Sequence, residues 1–173
     1  MNRRKIATIL VVVALISAIV LATYFYLAMV HERKGILNRI DSAATSYLLR
    51  IRGDVDILLY LLENSNDTDT IRYETMALGY TADTLSFLTN ALYDYTSDPK
   101  CYNMHDAFYK LSSFIFDVLN DEPSKIVPEF MKNKEIFEGI SDILNEMTAY
   151  GSVMEIPDTL IGELQITVNG LSK

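Results

Sequence analysis

Residues 6–30 read IATILVVVALISAIVLATYFYLAMV, twenty-five positions without one charged side chain. At 1.5 Å rise per residue, such a run makes a helix long enough to cross a hydrocarbon core of roughly 30 Å. A helix satisfies its own backbone groups in lipid, where an open strand leaves them unpaired, so this stretch reads as a transmembrane helix. Cations bracket it, with Arg3, Arg4 and Lys5 before and Arg33 and Lys34 after. Tyr24, Phe25 and Tyr26 gather toward its far end, where amphipathic rings favour the boundary between lipid and water. The expected membrane-interface residues are therefore Arg3, Arg4, Lys5, Tyr24, Tyr26, Arg33 and Lys34, and membrane lipid is the first expected partner.

Outward from this anchor the charge is zoned. Of the 173 residues, 1–30 hold three cations, and 31–52 hold five cations against two acids. Residues 53–173 hold seven Lys/Arg against 21 Asp/Glu, a net −14 within the total of −8. A domain this acidic stays solvated and argues against nucleic acid as a partner. Counting cations near the span gives three on the tail and four beyond it (Arg33, Lys34, Arg39 and Arg50), which does not decide orientation. A long domain translocates largely regardless of its charge, whereas a five-residue tail with three cations has reason to stay in the cytoplasm. The expected topology is a single-pass cell-membrane protein with residues 1–5 as a cytoplasmic tail, 6–30 as the span and 31–173 as an extracytoplasmic domain. The alternative is signal cleavage after Val20-Leu21-Ala22, which would release a secreted helical protein. An h-region of roughly 7–15 residues is shorter than this apolar run, and that favours a retained anchor. The single sequon, Asn66-Asp67-Thr68, marks Asn66 as a glycosylation acceptor on an external domain.

From Ile36 onward apolar residues fall at helical steps: Leu37, Ile40, Ala44, Tyr47, Ile51, Val55, Leu58 and Leu62. No proline precedes Pro99, so one helix is expected from about Lys5 to Asn64, with Gly35 its weak point. Asn64 to Asp69 has the composition of a turn. A second stripe follows through Ile71, Leu78, Thr81, Leu85, Leu88, Leu92 and Tyr95. Ser97-Asp98-Pro99 then reads as a stop followed by a capped restart. A third helix spans roughly Pro99 to Asn120, and a short piece from Ser124 to Met131, disturbed by Pro128, comes next. A fourth helix capped by Asn133 and a last one opened by Pro157 complete the chain. The expected fold is all-α: the N-terminal transmembrane helix followed by an antiparallel bundle of four to five helices. In overall plan this is similar to the helical-bundle sensor domains of membrane receptors, although the sequence carries no second apolar span.

The chemistry-bearing residues are sparse. Cys101 is the only cysteine, so an intramolecular disulfide is excluded. Cys101 and His105 share one side of a helix, but that is half a zinc site, and a buried thiol beside an ordinary histidine is the plainer reading. The paired acids Asp54/Asp56 and Asp67/Asp69 read as solvated. There is no Gly-rich phosphate loop, GxSxG or HExxH. No catalytic, cofactor or metal residue is assigned; the rival reading is an enzyme whose site is assembled from scattered residues.

The third helix is the most informative. Its polar residues Asn103, Asp106, Lys110, Ser113 and Asp117 occupy a narrow strip, while Met104, Phe108, Leu111, Ile115 and Val118 form an apolar face. A second line, Tyr102, Tyr109 and Phe116, recurs at intervals of seven well round from that face. Such a helix is normally buried, so it is expected to be central and packed on both sides, with Tyr109 and Phe116 filling space. The alternative makes Tyr102, Tyr109 and Phe116 an exposed face that binds another protein or a second copy. The function expected of the whole is a non-catalytic interaction, scaffold or sensor-like module.

Overall fold

The computed structural model describes residues 3–65 and 67–172, with side chains described from Leu15 onward apart from residue 66. The side chains of Arg3, Arg4 and Lys5 and the sequon position Asn66 lie outside the described residues. Six α-helices follow one another: α1 (Arg3–Asn64), α2 (Thr68–Thr96), α3 (Pro99–Leu119), α4 (Pro123–Lys132), α5 (Lys134–Met147) and α6 (Asp158–Val168). A 3-10 turn at Val153–Glu155 precedes α6, and no strand occurs among the described residues.

Two compact units meet between Asn38 and Arg39. The first is the N-terminal part of α1. Its described side chains from Leu15 to Met29 are exposed, and it supplies a helix long and apolar enough to cross a membrane. Gly35 does not interrupt α1, as the absence of proline leads one to expect.

The second unit is the bundle. Within its share of α1 the buried residues are Ala44, Leu48, Ile51, Val55, Leu58 and Leu62, a seam of alternating four- and three-residue steps. Leu48 takes the place expected for Tyr47, which is only half-buried. Asp67 then caps α2, its carboxylate accepting from the backbone of Asp69 and Thr70 and from the Thr70 hydroxyl at 2.6 Å. The hydroxyl and backbone bonds from Thr70 hold that carboxyl below its ordinary value.

The link between α2 and α3 is two residues long. Ser97 turns left-handed at φ 56°, and its N–H donates to the Tyr93 carbonyl. Asp98 accepts from Lys100 N, with Pro99 in the first turn of α3. So short a link forces an antiparallel hairpin, which the register shows: Gly79 faces Ile115, Ser86 faces His105 and Tyr93 faces Tyr102. At Gly79 an added Cβ would stand 2.9 Å from Ile115 Cγ2, so α2 and α3 approach as closely as glycine permits.

The C-terminal helices close the bundle. Lys134 pairs with Glu63 at 2.7 Å and Ser141 donates to Asp56, so α5 runs antiparallel to α1. Gly139 faces Thr167 and Gly170 faces Ile136, which sets α6 antiparallel to α5. Phe114, Phe130 and Phe137 from α3, α4 and α5 meet at ring-centroid distances of 5.3–6.1 Å. The segment before α6 is pinned to α1, where Ser152 donates to Asp41 at 2.7 Å and Val153 N donates to Thr45 at 3.2 Å.

Helix α4 carries Pro128 inside it and extends one residue beyond the expected Ser124–Met131 at each end. One expectation changes here. Asn133 makes no side-chain cap for α5. Buried at the junction, it donates from Nδ2 to the carbonyls of Glu129 and Ser172 and accepts from Ser172 N. An amide with two donors and an acceptor can tie down a chain end as well as cap a helix, and here the C-terminal segment is the partner.

Candidate functional site

Seven residues at 100° each fall 20° short of two turns, so positions seven apart stay on one stripe of a helix. Helix α3 carries Tyr102, Tyr109 and Phe116 in this way, and α2 carries Tyr73, Tyr80 and Phe87. The antiparallel hairpin brings these stripes side by side in rows. Tyr80 and Phe116 meet edge to face at 5.3 Å, and Tyr93 and Tyr102 lie 5.5 Å apart. Between those rows, Phe87 and Tyr109 line one notch. Rows separated by seven residues stand about 10.5 Å apart along the helices.

These rings are largely in the open. Phe87 is 71% exposed, Tyr80 60%, Tyr109 56% and Tyr102 51%. Phe116 is half-buried. The expectation that α3 is central and covered on both sides is corrected by this. Helix α3 does touch α2, α4 and α6, and its face from Cys101 through Phe108 to Val118 is buried. The line holding Tyr102 and Tyr109 lies at the edge of these contacts, beside the α2 stripe, where Tyr102 meets Tyr93 and both α3 rings stay exposed. The polar strip behaves as expected, with Asn103, Lys110, Ser113 and Asp117 exposed.

The notch is an open groove of about 380 Å³ lined by Asp83, Thr84, Ser86, Phe87, Asn90, His105 and Tyr109. His105 Nδ1 lies 2.8 Å from Ser86 Oγ and 3.1 Å from Ser86 O. A carbonyl oxygen only accepts, so the contact to Ser86 O calls for a hydrogen on Nδ1. The imidazole is stacked in sequence between Tyr102 and Tyr109, at 5.8 and 6.1 Å. A second groove of about 330 Å³ lies further along α2, between Tyr73, Met76, Tyr80 and Arg50 of α1. Its polar edge is braced by Thr81 donating to Asp54 at 2.7 Å, with Arg50 beside the same carboxylate.

The other singled-out residues are occupied in the fold. Cys101 is fully buried, its Sγ 3.5 Å from Met154 Sδ, and desolvation pushes the thiol above its ordinary value. Lys100 donates to the Met154 carbonyl alongside. Asp56 serves Arg52 and Ser141, and Asp67 serves the α2 cap. Among the described residues no group of three or more His, Cys, Asp or Glu is placed to hold a metal ion. In the first unit, Tyr24, Tyr26, Arg33 and Lys34 are exposed, with Tyr24 edge-on to Phe25 at 6.0 Å.

The sequence pattern pointed to Tyr102, Tyr109 and Phe116 of the aromatic surface and missed Tyr73, Tyr80, Phe87 and Tyr93. The signal was present, since α2 repeats the seven-residue interval of α3. It was masked because the leucine and isoleucine stripe of α2 was sufficient to define the helix. No protein-family model matches this chain, and no curated protein or solved structure matches it.

Proposed function

We propose that this chain is a membrane-anchored interaction protein without catalytic activity, and that the outer face of the α2–α3 hairpin is its binding surface. Residues 6–30 are the span, the cationic tail stays in the cytoplasm, and the helical domain works outside the membrane. The observation that carries this reading is the paired aromatic rows: Tyr80 with Phe116, Phe87 with Tyr109, and Tyr93 with Tyr102. Tyrosine and phenylalanine bury large areas at low entropic cost, which is why aromatic anchors dominate interface energetics. A contiguous set of exposed rings on a solvated, acidic domain marks an interaction site. The bundle beneath it is packed through the Gly79 contact and the Phe114–Phe130–Phe137 cluster.

The test is site-specific photocrosslinking in the host membrane, with a benzoylphenylalanine placed singly at Phe87, Tyr109, Tyr60 or Ile166. Discrete adducts are expected from the first two positions and none from the last two, which are equally exposed but lie elsewhere. Adducts absent from Phe87 and Tyr109 would sink the proposal. Protease added to intact cells or spheroplasts should remove the acidic domain; full protection of residues 53–173 would reverse the orientation.

A further inference from the structure

The notch between Phe87 and Tyr109 has a composition that specifies what enters it. Two exposed rings flank it, and Asp83 lies on its wall. Asp83 is exposed and has no ion-pair partner among the described residues, and the same holds for Asp94 further along α2. The nearest cation on α3, Lys110, is already paired with Asp106 at 2.8 Å. His105 lines the same notch. Aromatic walls with a free carboxylate are the elements that hold a cationic side chain, by cation–π attraction and by a charge-assisted hydrogen bond.

We infer that the partner is an amphipathic α-helix laid along the furrow between α2 and α3, with a Lys or Arg side chain seated between Phe87 and Tyr109 against Asp83. This inference rests on the aromatic face being the binding surface. A helix with apolar residues seven positions either side of that cation matches the spacing of the rows, so those side chains meet the Tyr80–Phe116 and Tyr93–Tyr102 pairs. A second copy of this chain is disfavoured as occupant. It would set one face bearing Asp83 and Asp94 against an equally acidic face, with its own Lys110 already engaged. The acidic rim also repels an anionic membrane surface.

The experiment uses the full-length protein in detergent and two fluorescein-labelled helical peptides that share leucines seven residues either side of a central position. That position is Lys in one peptide and Glu in the other. Fluorescence anisotropy should show the Lys peptide binding at least about tenfold tighter than the Glu peptide. Asp83→Asn should reduce that preference by about three- to tenfold, the size expected of a partly desolvated ion pair with a cation–π component. Asp83→Lys should invert it, and Phe87→Ala should abolish binding of both peptides. Equal affinity for the two peptides, with loss of both in Phe87→Ala, would keep the aromatic face and overturn the cationic partner. No binding of either peptide, together with no crosslinks from Phe87 or Tyr109, would overturn both readings. A dimer seen by light scattering in wild type and lost in Phe87→Ala would make a second copy the occupant and overturn the inference. Circular dichroism melts of each variant establish that it is folded before its binding is compared.

Discussion

Cys101, Phe108 and Ile115 lie one residue before Tyr102, Tyr109 and Phe116, with the same seven-residue spacing on the same helix, yet the two lines meet opposite fates. Phe108 is 1% exposed and Tyr109 is 56% exposed. One residue is 100° of rotation, enough to move a side chain from the α3 core face to the furrow beside α2. The first line stabilises the bundle by burial, and the second leaves apolar surface that a partner can remove from water. What separates them is the position of neighbouring helices, since residue type and periodicity are nearly the same.

That contrast can be broken by truncating one line at a time, in full-length protein unfolded by urea in detergent. Phe108→Ala should cost about 3–5 kcal/mol, as for a fully enclosed phenylalanine that leaves a cavity. If it melts like wild type, the inward face has been misassigned. Gly79→Val should come next at about 1–3 kcal/mol, since its branched side chain must displace Ile115 and Phe116 where the helices touch. Wild-type stability in that variant would mean that the close approach of α2 and α3 is not real. Phe116→Ala should cost about 1–2 kcal/mol, below the figure for Phe108, because Phe116 is only half-buried against Tyr80.

A smaller change sharpens the comparison from the connecting turn. Asp67→Ala removes the α2 cap and should lower the melting temperature by a few degrees at pH 7. Because the folded carboxyl titrates below its ordinary 3.8, the stabilisation is complete above that pH and is lost as pH falls through the lowered folded value. Melting curves of wild type and variant should therefore converge in strong acid; a gap that persists there would assign the effect to something other than this carboxylate. Smallest of all, Phe87→Ala and Tyr109→Ala should each change stability by no more than about 0.5 kcal/mol. A cost approaching that of Phe108 would show these rings to be part of the core.

Much of the fold was legible because local physics is written locally. An uncharged run of twenty-five residues announces a helix suited to lipid wherever it occurs. Ser97-Asp98-Pro99 stops one helix and caps the next through groups within three residues of each other, and the structure places the turn there. From Ala44 onward the core stripe of α1 was readable to within one position, Tyr47 against Leu48, since burial on a helix follows a fixed angular step, whereas Leu37 and Ile40 before it are only half-buried. Asn133 was misread because its partner, Ser172, is 39 residues away and nothing nearby indicates it.

Helix boundaries, the apolar span, the zoning of charge and the identity of one buried face of α3 were thus determined by the sequence itself, through spacings shorter than two turns. Which of the two aromatic lines faces outward was decided by tertiary structure. The outcome depends on the antiparallel register that sets Tyr80 beside Phe116 and Tyr93 beside Tyr102. That register follows from a two-residue turn and a glycine at the contact, acting together over a separation no periodicity spans. The exposed surface, and with it the notch that Asp83 lines beside Phe87 and Tyr109, exists only once the hairpin has closed.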